Sequence, residues 1–151
     1  MGKIPEICRI AFIGGTMKIF IGCVKLKNKG RLKAKDKYKS PLFKKELAYA
    51  RKLVSDTDIY ILSAKYGIIT LEDYIDDYDL TLNKCNEEAK KKWAYNVIKK
   101  AEKLGIKKDE EIIFLCGNNY SKYLKKYYTN HKDPTNGLGL GNTLKWYNNN
   151  I

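Results

Sequence analysis

Three short apolar runs in this chain end in residues suited to chemistry. They close on Gly22-Cys23-Val24-Lys25, on Ser63-Ala64-Lys65-Tyr66-Gly67 and on Cys116-Gly117-Asn118-Asn119-Tyr120. Each ending holds a small residue that lets backbone approach a ligand closely. Lys65 can pair a phosphate or stabilise developing negative charge; its bland alternative is a solvated loop lysine. Cys23 becomes a nucleophile if nearby lysines depress its pKa; otherwise it is a small buried filler. Tyr66 and Tyr120 can stack on a base, although the chain has 12 tyrosines and core packing competes for each. Gly137-Leu-Gly139-Leu-Gly141 has the spacing of a phosphate cradle but follows no strand, so a plain turn is its competing reading. His131 lies in a polar stretch and is read as a surface residue. The acidic residues Glu72, Asp73, Asp76, Asp77 and Asp79 can supply a general base, or they can neutralise basic residues elsewhere.

The elements that must position these residues follow from periodicity. Lys18 to Cys23, Asp58 to Ser63 and Glu111 to Cys116 read as buried strands. Ser40 suits an N-cap and Pro41 the first helical position, and Leu42, Phe43, Leu47, Ala50 and Leu53 carry an apolar stripe. A long amphipathic helix is predicted from Glu87 to Leu104 and stopped by Gly105. Another runs from the Gly117 turn through Tyr127, and a short amphipathic piece holds Leu144 and Trp146. Strands that alternate with helices imply parallel pairing through crossovers. No tight hairpin turn is read between neighbouring strands. The three strand ends then share one edge, where ligands bind in open sheets of this kind.

Between the first strand and the first helix every second residue is basic, from Lys25, Lys27 and Lys29 through Arg31 to Lys33, Lys35, Lys37 and Lys39. If extended, these side chains all leave one side; the mixed residues between them favour a long mobile loop instead. Over the whole chain, 30 Lys and Arg stand against 17 Asp and Glu, a net charge of +13. Such an excess attracts polyanions, while a genome rich in Lys and Asn codons gives the same composition without function. The chain of 151 residues fits a single domain. It contains no membrane-length apolar run and no secretory signal, so a cytoplasmic protein with no membrane partner is expected. Four cysteines without a C-x-x-C pair, and one histidine, argue against a structural zinc or a disulfide framework. No metal or other cofactor is expected.

A longer pattern runs through the same residues. Cys23-x-Lys25-x-Lys27, Tyr38-x-Ser40-Pro41-Leu42-Phe43, Leu62-Ser63-Ala64-Lys65-Tyr66-Gly67, Tyr78-Asp79, Trp93-Ala94, Leu115-Cys116-Gly117-x-x-Tyr120 and the Gly137 to Gly141 stretch together resemble the small YaaA-like α/β proteins. The Leu-Ser-Ala-Lys-Tyr-Gly segment is the most specific part. That family is similar, more remotely, to a domain of archaeal tRNA-guanine-modifying proteins. The resemblance implies a three-layer α/β fold, uracil-DNA-glycosylase-like, with a mostly parallel sheet and helices on both faces. It also implies a nucleic-acid or nucleobase setting and a link to peroxide stress. On it, Cys23, Ser63 and Lys65 are the expected catalytic residues. Lys25, Lys27, Tyr38, Ser40, Tyr66, Gly67, Gly117, Tyr120 and Gly139 are the expected binding residues. Two departures are visible: Val24 stands where a Ser commonly follows the Cys, and the Gly-Gln-Asp-Pro-Tyr motif of true uracil-DNA glycosylases is absent. Hydrolytic uracil excision is therefore not implied.

The match begins at Met17, and residues 1–16 are expected to be a leader outside the natural protein, ahead of a single domain over 17–151. The residues leave three readings open. One is an enzyme of nucleobase or nucleotide chemistry. A second is a non-catalytic DNA- or RNA-binding domain tied to oxidative stress. The third is a small-nucleotide sensor.

Overall fold

The computed structural model describes residues 17–23 and 27–151. The expected leader over 1–16 and the candidate Lys25 lie outside the described residues. Strand β1 (Met17–Gly22) is followed by a two-residue strand β2 (Leu32–Lys33), a single helical turn α1 (Ala34–Lys37) and helix α2 (Pro41–Leu53). Strands β3 (Ile59–Ser63), β4 (Gly67–Thr70) and β5 (Tyr74–Ile75) come next, then helix α3 (Glu87–Lys103). Strand β6 (Glu111–Leu115), helix α4 (Asn118–Tyr127), strand β7 (His131–Lys132) and helix α5 (Leu140–Asn150) complete the described chain.

The main sheet has the order β4-β3-β1-β6-β7. β1 pairs in parallel with both β3 and β6, and β6 pairs in parallel with β7. The central strand is buried on both faces, so its residues read as a continuous apolar run. Ile19 and Ile21 face a core shared with Phe43, Leu47 and Ala50 of α2 and Tyr147 of α5. Phe20 faces the other way, onto Val97 and Ala101 of α3 and Leu124 of α4. The chain is thus an α/β fold, a mostly parallel mixed sheet with helices against both faces.

The helix boundaries follow the capping chemistry. Ser40 accepts a hydrogen bond from the Phe43 N–H at 3.2 Å, and Pro41 begins α2. Asn86 accepts from Ala89 at 2.9 Å to open α3. Gly105, at φ +88°, ends it, in a backbone region that other residues reach only with strain.

The structure corrects the expectation that no hairpin exists. β4 is antiparallel to β3, with Ser63 opposite Gly67. Ala64, Lys65 and Tyr66 form the connection, Ser63 Oγ accepts the Tyr66 N–H at 3.1 Å, and Gly67 takes φ +76°. A Ser-initiated turn closed by glycine lacks the Asn-Gly or Asp-Gly signature by which short hairpins are recognised.

A second correction concerns the lysine-rich segment, expected as a long mobile loop. It folds into β2 and α1, with β2 antiparallel to β5 and a bridge from Lys27 to Tyr38. The charges explain why. Lys33 and Lys35 both bind Glu72, at 2.9 and 2.8 Å, and Arg31 binds Asp76 at 3.1 Å. Lys37 is completely buried and reaches Asp77 Oδ1 and the Gly30 carbonyl, each at 2.5 Å. The acidic stretch from Glu72 neutralises the basic one. His131 is also corrected: it is half-buried, its ring 5.9 Å from that of Phe114 and its Nδ1 2.6 Å from the Tyr128 carbonyl oxygen.

Candidate functional site

β1 and β6 are neighbours, and the chain leaves them toward opposite faces of the sheet. From β1 it passes to α2, whose buried residues belong to one core; from β6 it passes to α4, whose buried residues belong to the other. Open sheets bind ligands at such a switch of direction, because the diverging connections leave a crevice beyond the strand ends. The strands approach closely here. A Cβ on Gly22 would lie 2.8 Å from Cys116 Cβ, so only glycine fits at that position.

Directly beyond this contact is a cavity of about 290 Å³. Cys23, from the end of β1, and Tyr120, from the first turn of α4, line it together with Lys27. The segment after β5 supplies the other wall through Asp79, Thr81, Asn83 and Lys84. Cys23 Sγ donates to Tyr120 Oη at 3.4 Å. The same hydroxyl receives the Leu82 N–H at 3.3 Å and lies 3.4 Å from Thr81 Oγ1. Tyr120 therefore ties the cavity wall to its floor. Burial, reinforced by the nearby Cys23, raises the Tyr120 phenol above its ordinary pKa, so the hydroxyl stays protonated.

Behind Cys23 lies a buried line of hydroxyls. Tyr38 Oη is 2.7 Å from Tyr78 Oη, and Ser63 Oγ donates to Tyr78 Oη at 3.1 Å. Burial raises both tyrosines. The Lys27 ammonium lies 4.3 Å from the centre of the Tyr78 ring, a cation–π contact. Burial lowers Lys27 below its ordinary pKa, while the nearby Asp79 carboxylate acts against that shift.

The candidate residues thus separate. Cys23, Lys27 and Tyr120 share the cavity. Ser63 is completely buried, and its hydroxyl is occupied by Tyr66 and Tyr78, so it organises the hairpin and the hydroxyl line without lining the cavity. Tyr38 belongs to that same line, and Ser40 is the cap of α2. Gly117 is the N-cap of α4 at the same edge, and Gly139 is the exposed N-cap of α5. Lys65, Tyr66 and Gly67 border a separate groove of about 370 Å³, with Trp93 between it and Tyr120. Asp79, named in the acidic stretch, also lines the cavity, and Thr81, Asn83 and Lys84 are cavity residues that the sequence did not single out. Their only signal was position: an irregular polar segment before a long helix.

Among the described residues no cluster of His, Cys, Asp and Glu is arranged to hold a metal, and no helix is long and apolar enough to cross a membrane. No curated protein and no solved structure matches the chain. A family model covers residues 19–149, from the third residue of β1 to the last turn of α5. The chain belongs to that family, a family of unknown function designated DUF6884.

Proposed function

We propose that this domain binds a nucleotide, or a nucleobase carrying an anionic group, in the cavity at the ends of β1 and β6. One observation carries the reading: a cavity at the sheet's switch of direction places two lysines, a tyrosine and a cysteine around one space. Lys27 and Lys84 supply charge for a phosphate. Asn83, Thr81 and Asp79 supply the donors and acceptors that a base edge or a sugar needs. Its volume lies at the small end for ligand pockets, which suits one nucleotide unit and excludes a duplex. The resemblance to YaaA-like proteins, and through them to a uracil-DNA-glycosylase-like layout, supports the same class of ligand.

Cys23 is the thiol that lines the cavity. If a reaction on the bound base or sugar occurs, Cys23 is the residue placed to touch the reacting group. The alternative of a nucleic-acid surface along the lysine-rich segment loses support, because Lys33, Lys35, Lys37 and Arg31 already meet carboxylates.

Thermal shift with a panel of nucleoside mono- and diphosphates tests the reading. A ligand at about 100 times its Kd adds roughly 2.7 kcal/mol of stability. We expect one class of nucleotide to raise the Tm of the wild-type chain, and Lys27→Gln to lose most of that rise. Absence of any shift, or an undiminished shift in Lys27→Gln, would rule out the cavity as the site.

A further inference from the structure

The groove beside the cavity is cationic in a different way from the lysine-rich segment. It is bordered by Lys65, Lys92 and Lys100, with Tyr66 and Trp93 as its aromatic walls. All three lysines are exposed. Among the described residues none of them meets a carboxylate. Lys100 Nζ donates to the Tyr66 carbonyl at 3.3 Å, and the Lys65 ammonium lies 5.3 Å from the centre of the Tyr66 ring. Three like charges along one groove, without a carboxylate partner among the described residues, repel one another, and an anionic ligand relieves that repulsion.

Aromatic contacts link the groove to the cavity. Trp93 packs edge-on against Tyr120 of the cavity at 5.5 Å, and Tyr66 packs edge-on against Tyr78, beneath Lys27, at 5.7 Å. Trp93 is held in place by its own Nε1–H, which donates to the Ser63 carbonyl at 2.9 Å. Half-buried Trp93 thus borders the groove of the three lysines and also touches Tyr120 of the cavity.

We infer that the groove of Lys65, Lys92 and Lys100 takes the sugar-phosphate backbone of a single-stranded nucleic acid whose terminal or extruded nucleotide enters the cavity. This rests on the cavity reading and deepens it: the ligand is a strand and not a free nucleotide. Lysines supply sequence-independent phosphate contacts. The half-buried rings of Tyr66 and Trp93 beside the lysines favour a single strand, because duplex bases are already stacked on each other.

The test compares two variants of the full chain by fluorescence anisotropy with a labelled short oligothymidylate, titrated with salt. The first is Lys65→Gln/Lys92→Gln/Lys100→Gln. The second is Lys33→Gln/Lys35→Gln, whose lysines are engaged with Glu72. The inference expects the triple variant to bind about tenfold or more weakly, with a log–log salt slope shallower by about 2, and the double variant to bind as wild type. The substituted side chains are exposed, so unchanged far-UV circular dichroism and Tm should show that both variants fold. Equal weakening in both variants, unchanged binding in the triple variant, or an equal loss for a duplex of the same length would overturn the inference. The two readings fail separately. A nucleotide shift without strand binding keeps the cavity and removes the groove. Strand binding that depends on the three lysines, without any nucleotide shift, keeps the groove and removes the cavity.

Discussion

Two regions of this molecule are rich in lysine, and they use the charge in opposite ways. Between Arg31 and Lys37 the cations are paired with carboxylates of the same chain. Glu72, Asp76 and Asp77 meet them across the β2–β5 pair, and one ammonium is wholly buried. At the strand-end edge, Lys65, Lys92 and Lys100 converge on a groove with no carboxylate among the described residues to neutralise them. Charge density along the sequence is therefore a poor guide to where an anion binds. What matters is which cations the fold leaves without a counter-charge, and that depends on residues distant in sequence.

The largest effect that can break this comparison is at Lys37. Truncation to Ala removes a fully buried side chain and orphans the Gly30 carbonyl that it binds. Lys37→Ala is expected to cost about 2–4 kcal/mol, read as a lower urea midpoint at unchanged m. Lys35→Ala, which loses only a contact to an exposed Glu72, should stay within about 0.5 kcal/mol. A wild-type midpoint for Lys37→Ala would mean that the segment's charge is not paired within the chain after all.

The next effect lies beneath the other region. Gly22→Ala puts a methyl 2.8 Å from Cys116 Cβ, between two backbones that cannot separate without parting β1 from β6. A cost of about 1–3 kcal/mol is expected. Ligand binding in the cavity should weaken with it, since Cys23 follows directly. Adding Cys116→Gly to the same chain should recover part of the loss, giving a coupling energy in a double-mutant cycle. Strict additivity would show that the close approach does not shape the edge.

The smallest effects are pH dependences, and they have opposite signs. Glu72 is exposed and held down to about 2 by Lys35 and Lys33. Its folded pKa is depressed, so its contribution is present above 4.5 and lost as pH falls from 4.5 toward 2. Glu46, in the core between α2 and the sheet, has no hydrogen-bond partner for its Oε1 among the described residues, and burial pushes its carboxyl well above 4.5. Its folded pKa is raised, so its stability is complete below 4.5 and lost as pH rises above that value. In urea midpoints measured against pH, Glu46→Gln should flatten the decline above pH 4.5, and Glu72→Gln should flatten only the acid limb. If Glu46→Gln left the upper limb unchanged, Glu46 would not be a buried neutral acid.

Much of the scaffold was legible from local chemistry. The Ser40-Pro41 cap, the Gly105 stop and the three central strands need only information carried by adjacent residues, and each lies close to its predicted place. The β3–β4 hairpin was missed, because Ser63 builds its turn through a hydroxyl that also serves a distant Tyr78. The lysine-rich segment was misread for a similar reason. Its order comes from carboxylates roughly forty residues away in sequence, to which hydrophobic periodicity is blind.

The sequence by itself determined the three central strands, the main helices and the edge at which those strands end. Apolar runs, caps and turn residues act over a few positions, and alternating strands and helices leave parallel pairing as the simplest arrangement. Only the tertiary structure decided how the candidate residues divide. Cys23, Lys27 and Tyr120 meet at the cavity, Ser63 and Tyr38 turn inward, and Lys65 faces a second groove behind Trp93. That division depends on the directions in which two adjacent strands send their chains, and on which long side chains find a counter-charge. Both are properties of three-dimensional neighbours, and neither is written in the order of residues along one strand end.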